Sequence, residues 1–153
     1  MSSQHPLASQ NAVRAAPRSK WGEAMDAGFQ VIPDVLFKNQ AELKLNPTEL
    51  IVLLHLTMAW WFAERHPFPR ATTIARRMGI APRTVQRCLK KLKSEKLILP
   101  IRRAANSAEG RTAYELTPLV RRLVEFAAND PRFRSSRNAD PMAEYAPVTE
   151  VRM

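Results

Sequence analysis

Between Ala71 and Leu92 two short helical patterns meet at a single glycine, and few folds can use such a junction. Ile74, Ala75 and Met78 recur at spacings of three and four and mark the inner face of a first helix. Gly79 follows as a residue able to take the left-handed conformation that ends a helix. Ile80-Ala81 completes the turn. Pro82 fits the first position of a second helix running to about Glu95, with Val85, Cys88, Leu89 and Leu92 on one face. The small Ala75 lies four residues before Gly79, where two helices must approach closely, and Val85 lies six after it. This spacing predicts a helix-turn-helix whose second helix projects from the body.

The same region carries the charge. From Arg70 to Arg103 there are eleven basic residues and one acid, Glu95, which accounts for the whole formal net charge of +10; the remaining basic and acidic residues cancel. A positive excess confined to one stretch is the electrostatic footprint of a polyanion partner. On the second helix Arg83, Gln86, Arg87 and Lys90 fall opposite the apolar face, at spacings of three and four. Arginine can make a paired contact with guanine and glutamine one with adenine, so Arg83, Gln86 and Arg87 are the expected base readers. Thr72, Thr73, Thr84, Lys90 and Lys91 are the expected phosphate contacts, and Arg70 is a further expected DNA contact.

Downstream, 97–101 reads as a strand, 102–110 as a loop and 111–116 as a returning strand, which together make a β-wing with Arg102, Arg103 and Arg111 at its base. Such a wing can follow the backbone or place an arginine in a minor groove. Upstream, Asn46, Pro47 and Glu49 write an explicit helix start, with Leu45 and Leu50 at the two positions of a hydrophobic staple. That helix is expected to run to just before Pro67, and its apolar residues go nearly all round, as in a helix covered on more than one side. Phe29 to Ile32 alternate like a short strand, and Pro33 can open a helical turn reaching about Asn39. Thr117-Pro118 is expected to cap and begin a last helix that packs Leu119, Val120, Leu123, Val124 and Phe126 on the core.

The run PFPRATTIARRMGIAPRTVQRCLKKLKSEKLI resembles a winged helix-turn-helix of bacterial regulators. With the preceding FQVIPDVLFKNQAELKLNPTELIVLLHL it is similar to the winged-helix domains of DnaD-like and phage or plasmid replication proteins. The resemblance covers about Phe29 to Leu116. It departs at Arg70 and Ala81, where the pattern has a serine cap, and near Lys96, where it has a glycine. Backbone amides at the two uncapped helix starts are then available to phosphate. The expected fold class is mainly α with a small β-wing: a winged helix-turn-helix over residues 21–128, a single domain between a disordered arm (1–20) and a disordered tail (129–153).

Other classes find little support. Cys88 is the only cysteine, so no internal disulfide can form and a reducing cytoplasm, in association with the nucleoid, is the expected setting. The longest apolar run, from Leu50 to Ala63, falls short of the roughly 20 residues of a membrane span. His5, His55 and His66 lack ligand spacing, four glycines form no phosphate loop, and no nucleophile has an activating partner. Neither an enzyme, nor a metal or other cofactor, nor a small-molecule ligand is expected. Two segments, from Trp21 to Asn39 and from Leu50 to Phe62, are candidates for a homodimer contact. The leading expectation is sequence-specific binding of double-stranded DNA by a small transcriptional regulator. The alternatives are a replication, partition or stability factor of a plasmid or phage, and a winged helix used only for protein contact.

Overall fold

Asn46 and Glu49 set the core helix in place. The Asn46 side chain accepts from the Glu49 amide at 2.8 Å and the Glu49 carboxylate accepts from the Asn46 amide at 2.9 Å, a complete capping box ahead of helix Pro47–Met58. Leu45 and Leu50, the two members of the staple, are both buried. These features belong to a computed structural model that describes residues 17–60, 66–101 and 112–131.

The described residues fall into two compact units, divided between Ile32 and Pro33. In the first, residues 17–21 are helical and a 3-10 helix follows at Gly22–Ala27, tied by an Arg18–Asp26 ion pair. Residues 17–20 are therefore ordered in a helix, where a disordered arm was expected. The expected strand over Phe29–Ile32 does not form. Among the described residues there is no neighbouring strand to pair with it, and Phe29 and Val31 are exposed.

The second unit contains α1 (Asp34–Lys38), α2 (Pro47–Met58), α3 (Ala71–Met78), α4 (Pro82–Ser94), β1 (Leu99–Ile101), β2 (Ala113–Glu115) and α5 (Thr117–Asn129). Pro33 is the cap of α1 rather than its first residue. The three helices α2, α3 and α4 form the body, with α4 packed against both of the others, and α5 closes over α1. Val52, Leu53, Leu56, Ile74, Val85 and Leu92 are fully buried between α2, α3 and α4. The strands pair antiparallel, with Leu99 opposite Glu115 and Ile101 opposite Ala113. Pro100 lacks an amide hydrogen and sits opposite Tyr114, whose own N–H turns to the other side and donates to the Pro67 carbonyl at 2.9 Å. Three helices with a two-stranded wing after the third make a winged helix-turn-helix.

Three boundaries depart from the sequence reading. Helix α2 ends at Met58, well short of Pro67. The Thr57 hydroxyl donates back to the Leu54 carbonyl, and the Ala59 and Trp60 amides bond three residues back, which tightens and closes the last turn. Its outer side keeps Ile51 and Met58 exposed, and Trp61 and Phe62 lie outside the described residues. At α5 the cap is Leu116, Thr117 is already helical, and the helix continues to Asn129. Leu119 and Leu123 reach the core, whereas Val120 and Val124 face outward, because α5 meets α1 along one stripe only. The wing strands are shorter than expected, three residues each, and the loop between them lies outside the described residues.

The missing glycine at Lys96 has a structural answer. Lys96 itself adopts φ +55°, its amide bonds the Lys93 carbonyl at 3.0 Å, and the Leu97 amide bonds the Leu92 carbonyl at 3.0 Å. That is a Schellman ending, with Leu92 and Leu97 both buried beneath it. Left-handed backbone costs an L-residue roughly 1–2 kcal/mol, part of which glycine gives back as chain entropy. Lys96→Gly is therefore expected to stabilise the fold by about 0.5–1 kcal/mol, read as a higher denaturation midpoint at unchanged slope.

His55 on α2 gives the fold a pH dependence. Its Nδ1 is buried without a hydrogen-bond partner, and burial first, then the Arg77 charge, hold its pKa below the usual histidine value. Above about pH 6.5 the imidazole is neutral in folded and unfolded chains alike. As pH falls below that, the unfolded chain takes up the proton first and stability declines. Unfolding at pH 7.5 and 5.5 is expected to show this loss, and His55→Leu is expected to shrink it. An unchanged pH difference in the variant would assign the loss to other groups.

Candidate nucleic-acid interface

The α3–turn–α4 segment is shaped by what it buries. Ile74 and Ala75 fix the inner side of α3, and Val85, Cys88 and Leu92 that of α4. Between them Gly79 takes φ +67°, and the Ile80 amide bonds the Ala75 carbonyl at 3.0 Å, which turns the chain within two residues. Met78 and Leu89, expected inside, are half-buried. Cys88 is a packing residue: burial, then the Glu49 carboxylate, push its thiol pKa up and keep it protonated.

With the apolar residues turned in, the polar ones face out. Arg83, Gln86, Arg87 and Lys90 on α4 are exposed, as are Arg70 and Thr72 at the start of α3, while Thr73, Thr84 and Lys91 are half-buried. The Lys91 ammonium lies 3.3 Å from the Glu95 carboxylate, an i,i+4 pair on the partly exposed surface. Arg102, Arg103 and Arg111 lie outside the described residues. Arg76, Arg77 and Lys93 received no role from the sequence, and all three are exposed on the same two helices. Their only signal was charge. Neither Arg70 nor Ala81 caps its helix through a side chain. The arrangement presents arginine, lysine and amide donors outward from two helices packed on each other, with the wing strands following in the same unit.

The DnaD N-terminal domain model matches residues 32–132, about two thirds of the chain. The chain belongs to the DnaD N-terminal domain family. The crystal structure of the N-terminal domain of DnaD protein from Geobacillus kaustophilus HTA426 overlays with a TM-score of 0.52 at 22% identity, covering 78% of this chain and 96% of that one. That overlay supports a shared fold. The transcriptional regulator PA3341 overlays at TM-score 0.39 and 20% identity, over 88% of this chain and 87% of that one, too loosely to argue from. No curated protein matches the chain. The DnaD family match spans α1 to α5, including the basic helix pair and the wing strands.

Among the described residues no helix is long and apolar enough to cross a membrane, and no group of three or more His, Cys, Asp or Glu could hold a metal ion.

Proposed function

We propose that this protein binds double-stranded DNA with α4 in the major groove, recognises particular sequences, and acts as a small transcriptional regulator by occupying an operator. The observation that carries this reading is the exposed Arg83–Gln86–Arg87–Lys90 face of α4, opposite an apolar face on which Val85, Cys88 and Leu92 are buried. In this reading Arg83, Gln86 and Arg87 meet bases. Arg70, Thr72, Thr73, Thr84, Lys90 and Lys91 meet phosphate, together with the amides at the uncapped helix starts, and Arg102, Arg103 and Arg111 extend the contact through the wing. It is a binding protein rather than an enzyme, and it works in the cytoplasm at the nucleoid. Footprinting at physiological salt tests it: protection of a defined sequence is expected, and protection without sequence preference would remove the regulator. The slope of log affinity against log salt separates DNA binding from a winged helix used for protein contact alone, since several phosphate contacts make it steeply negative.

A second reading, a replication, partition or stability factor of a plasmid or phage, is favoured by the family match over residues 32–132. It expects footprints over repeated sites at an origin or partition locus, without a promoter effect. In either role a homodimer would place two α4 helices on half-sites ~34 Å apart. Its support is the exposed Phe29, Val31 and Phe37 of the segment from Trp21 to Asn39, and Ile51 and Met58 on α2. Sedimentation is expected to show a dimer that Ile51→Asp weakens; a monomer at high protein concentration would exclude it.

A further inference from the structure

The outward face of α4 is one-sided in its hydrogen-bonding chemistry as well as in its charge. At 3.6 residues per turn, Arg83, Gln86, Arg87 and Lys90 share a sector of about 100°, and all four are exposed. Arginine and lysine offer donors only, and of the four residues Gln86 alone can also accept. Helix α4 contains no carboxylate; Glu95 follows its last residue and is engaged by Lys91 at 3.3 Å. The sector itself exposes no aliphatic side chain, since Val85, Cys88 and Leu92 are buried on the opposite side and the exposed Pro82 sits at the helix start outside it.

The four bases differ in what they show in a major groove. Guanine presents two acceptors, adenine an acceptor and a donor, cytosine a donor alone, and thymine an acceptor beside a methyl group. A face of donors with one amide has partners on guanine and adenine. It has no carboxylate to accept from cytosine and no apolar group to cover a thymine methyl. Residues one helical turn apart can meet successive bases of one strand, as in groove-reading helices with contacts three residues apart.

We propose that α4 reads a purine-rich strand dominated by guanine, over about three base pairs, with Arg83 and Arg87 each on a guanine and Gln86 on an adenine. This rests on α4 being the major-groove helix and adds which base class it selects. Lys90 follows on the phosphate at the end of that subsite.

The test uses the full chain and a random duplex library at ~0.15 M salt. The expected outcome is an enriched motif with two guanines and an adenine on one strand. Each motif guanine is then replaced by 7-deazaguanine, which loses the major-groove N7 acceptor and keeps its base pairing. Binding is expected to weaken roughly fivefold to a hundredfold. Replacement by inosine, which loses only the minor-groove amino group, is expected to change affinity less than about twofold, because that edge lies outside the major groove. In Arg87→Ala the 7-deazaguanine penalty is expected to vanish at one guanine, and in Arg83→Ala at the other. A motif without guanine, an unchanged affinity for the deaza duplex, or a penalty that persists in both variants overturns the base assignment while DNA binding stands. No salt-dependent binding to any duplex overturns both.

Discussion

Leu92→Ala is expected to destabilise the protein by about 2–5 kcal/mol, the usual cost of emptying a closed core site. Leu92 is fully buried on the inner face of α4, where that helix packs against α2 and α3. Its carbonyl also receives the Leu97 amide at the end of α4, and Leu97 is itself fully buried. Truncation therefore leaves a cavity at the point where the helix hands over to the wing. Against a total stability of about 5–15 kcal/mol, a loss of this size is a large share. Chemical denaturation measures it directly. A loss under about 1 kcal/mol would mean that the site collapses freely and that the body is held elsewhere.

Arg87→Ala should produce the reverse pattern. The side chain is exposed, so folding stability is expected to move by no more than about 0.5 kcal/mol. Affinity for the preferred DNA site is expected to fall by about 1–3 kcal/mol, with a smaller loss on random duplex, because a base contact carries sequence information. Equal losses on both, with a salt slope shallower by about 0.9, would mark a phosphate contact instead. Titrations of wild type and variant on the two duplexes at several salt concentrations separate these outcomes. Run beside Leu92→Ala, the pair divides the inside of α4 from its outside.

Much of the body is legible in the chain because its signals are local. Asn46, Pro47 and Glu49 mark a helix start through side chains that reach only three residues, and the structure carries that capping box. Gly79 and Pro82 bracket a turn that needs no distant partner. Features that depend on distant neighbours read less well. The alternation over Phe29–Ile32 describes a strand, but a strand needs a partner that periodicity cannot supply. Val120 and Val124 look like core on a helical wheel, yet α1 is short and covers only the Leu119–Leu123 side of α5. Lys96 misleads in the opposite sense: it replaces a glycine without changing the conformation, because buried Leu92 and Leu97 hold the turn closed. At the candidate interface, the outward Arg-Gln-Arg-Lys face follows from three- and four-residue spacing. The half-buried state of Thr73, Thr84 and Lys91 depends on packing between elements and has no sequence signal.

The bond from the Tyr114 amide to the Pro67 carbonyl reaches across nearly the whole helix-turn-helix. It closes the stretch between those residues into one loop, with α3, α4 and β1 inside it. Contacts of such long sequence separation form late in folding, after the local helical turns. Once formed, β2 has backbone partners on both sides, so the root of the wing is not an open edge. In hydrogen exchange the Tyr114 proton should accordingly be slow for so short a strand. Its release would report the parting of the helix pair from the wing rather than local fraying.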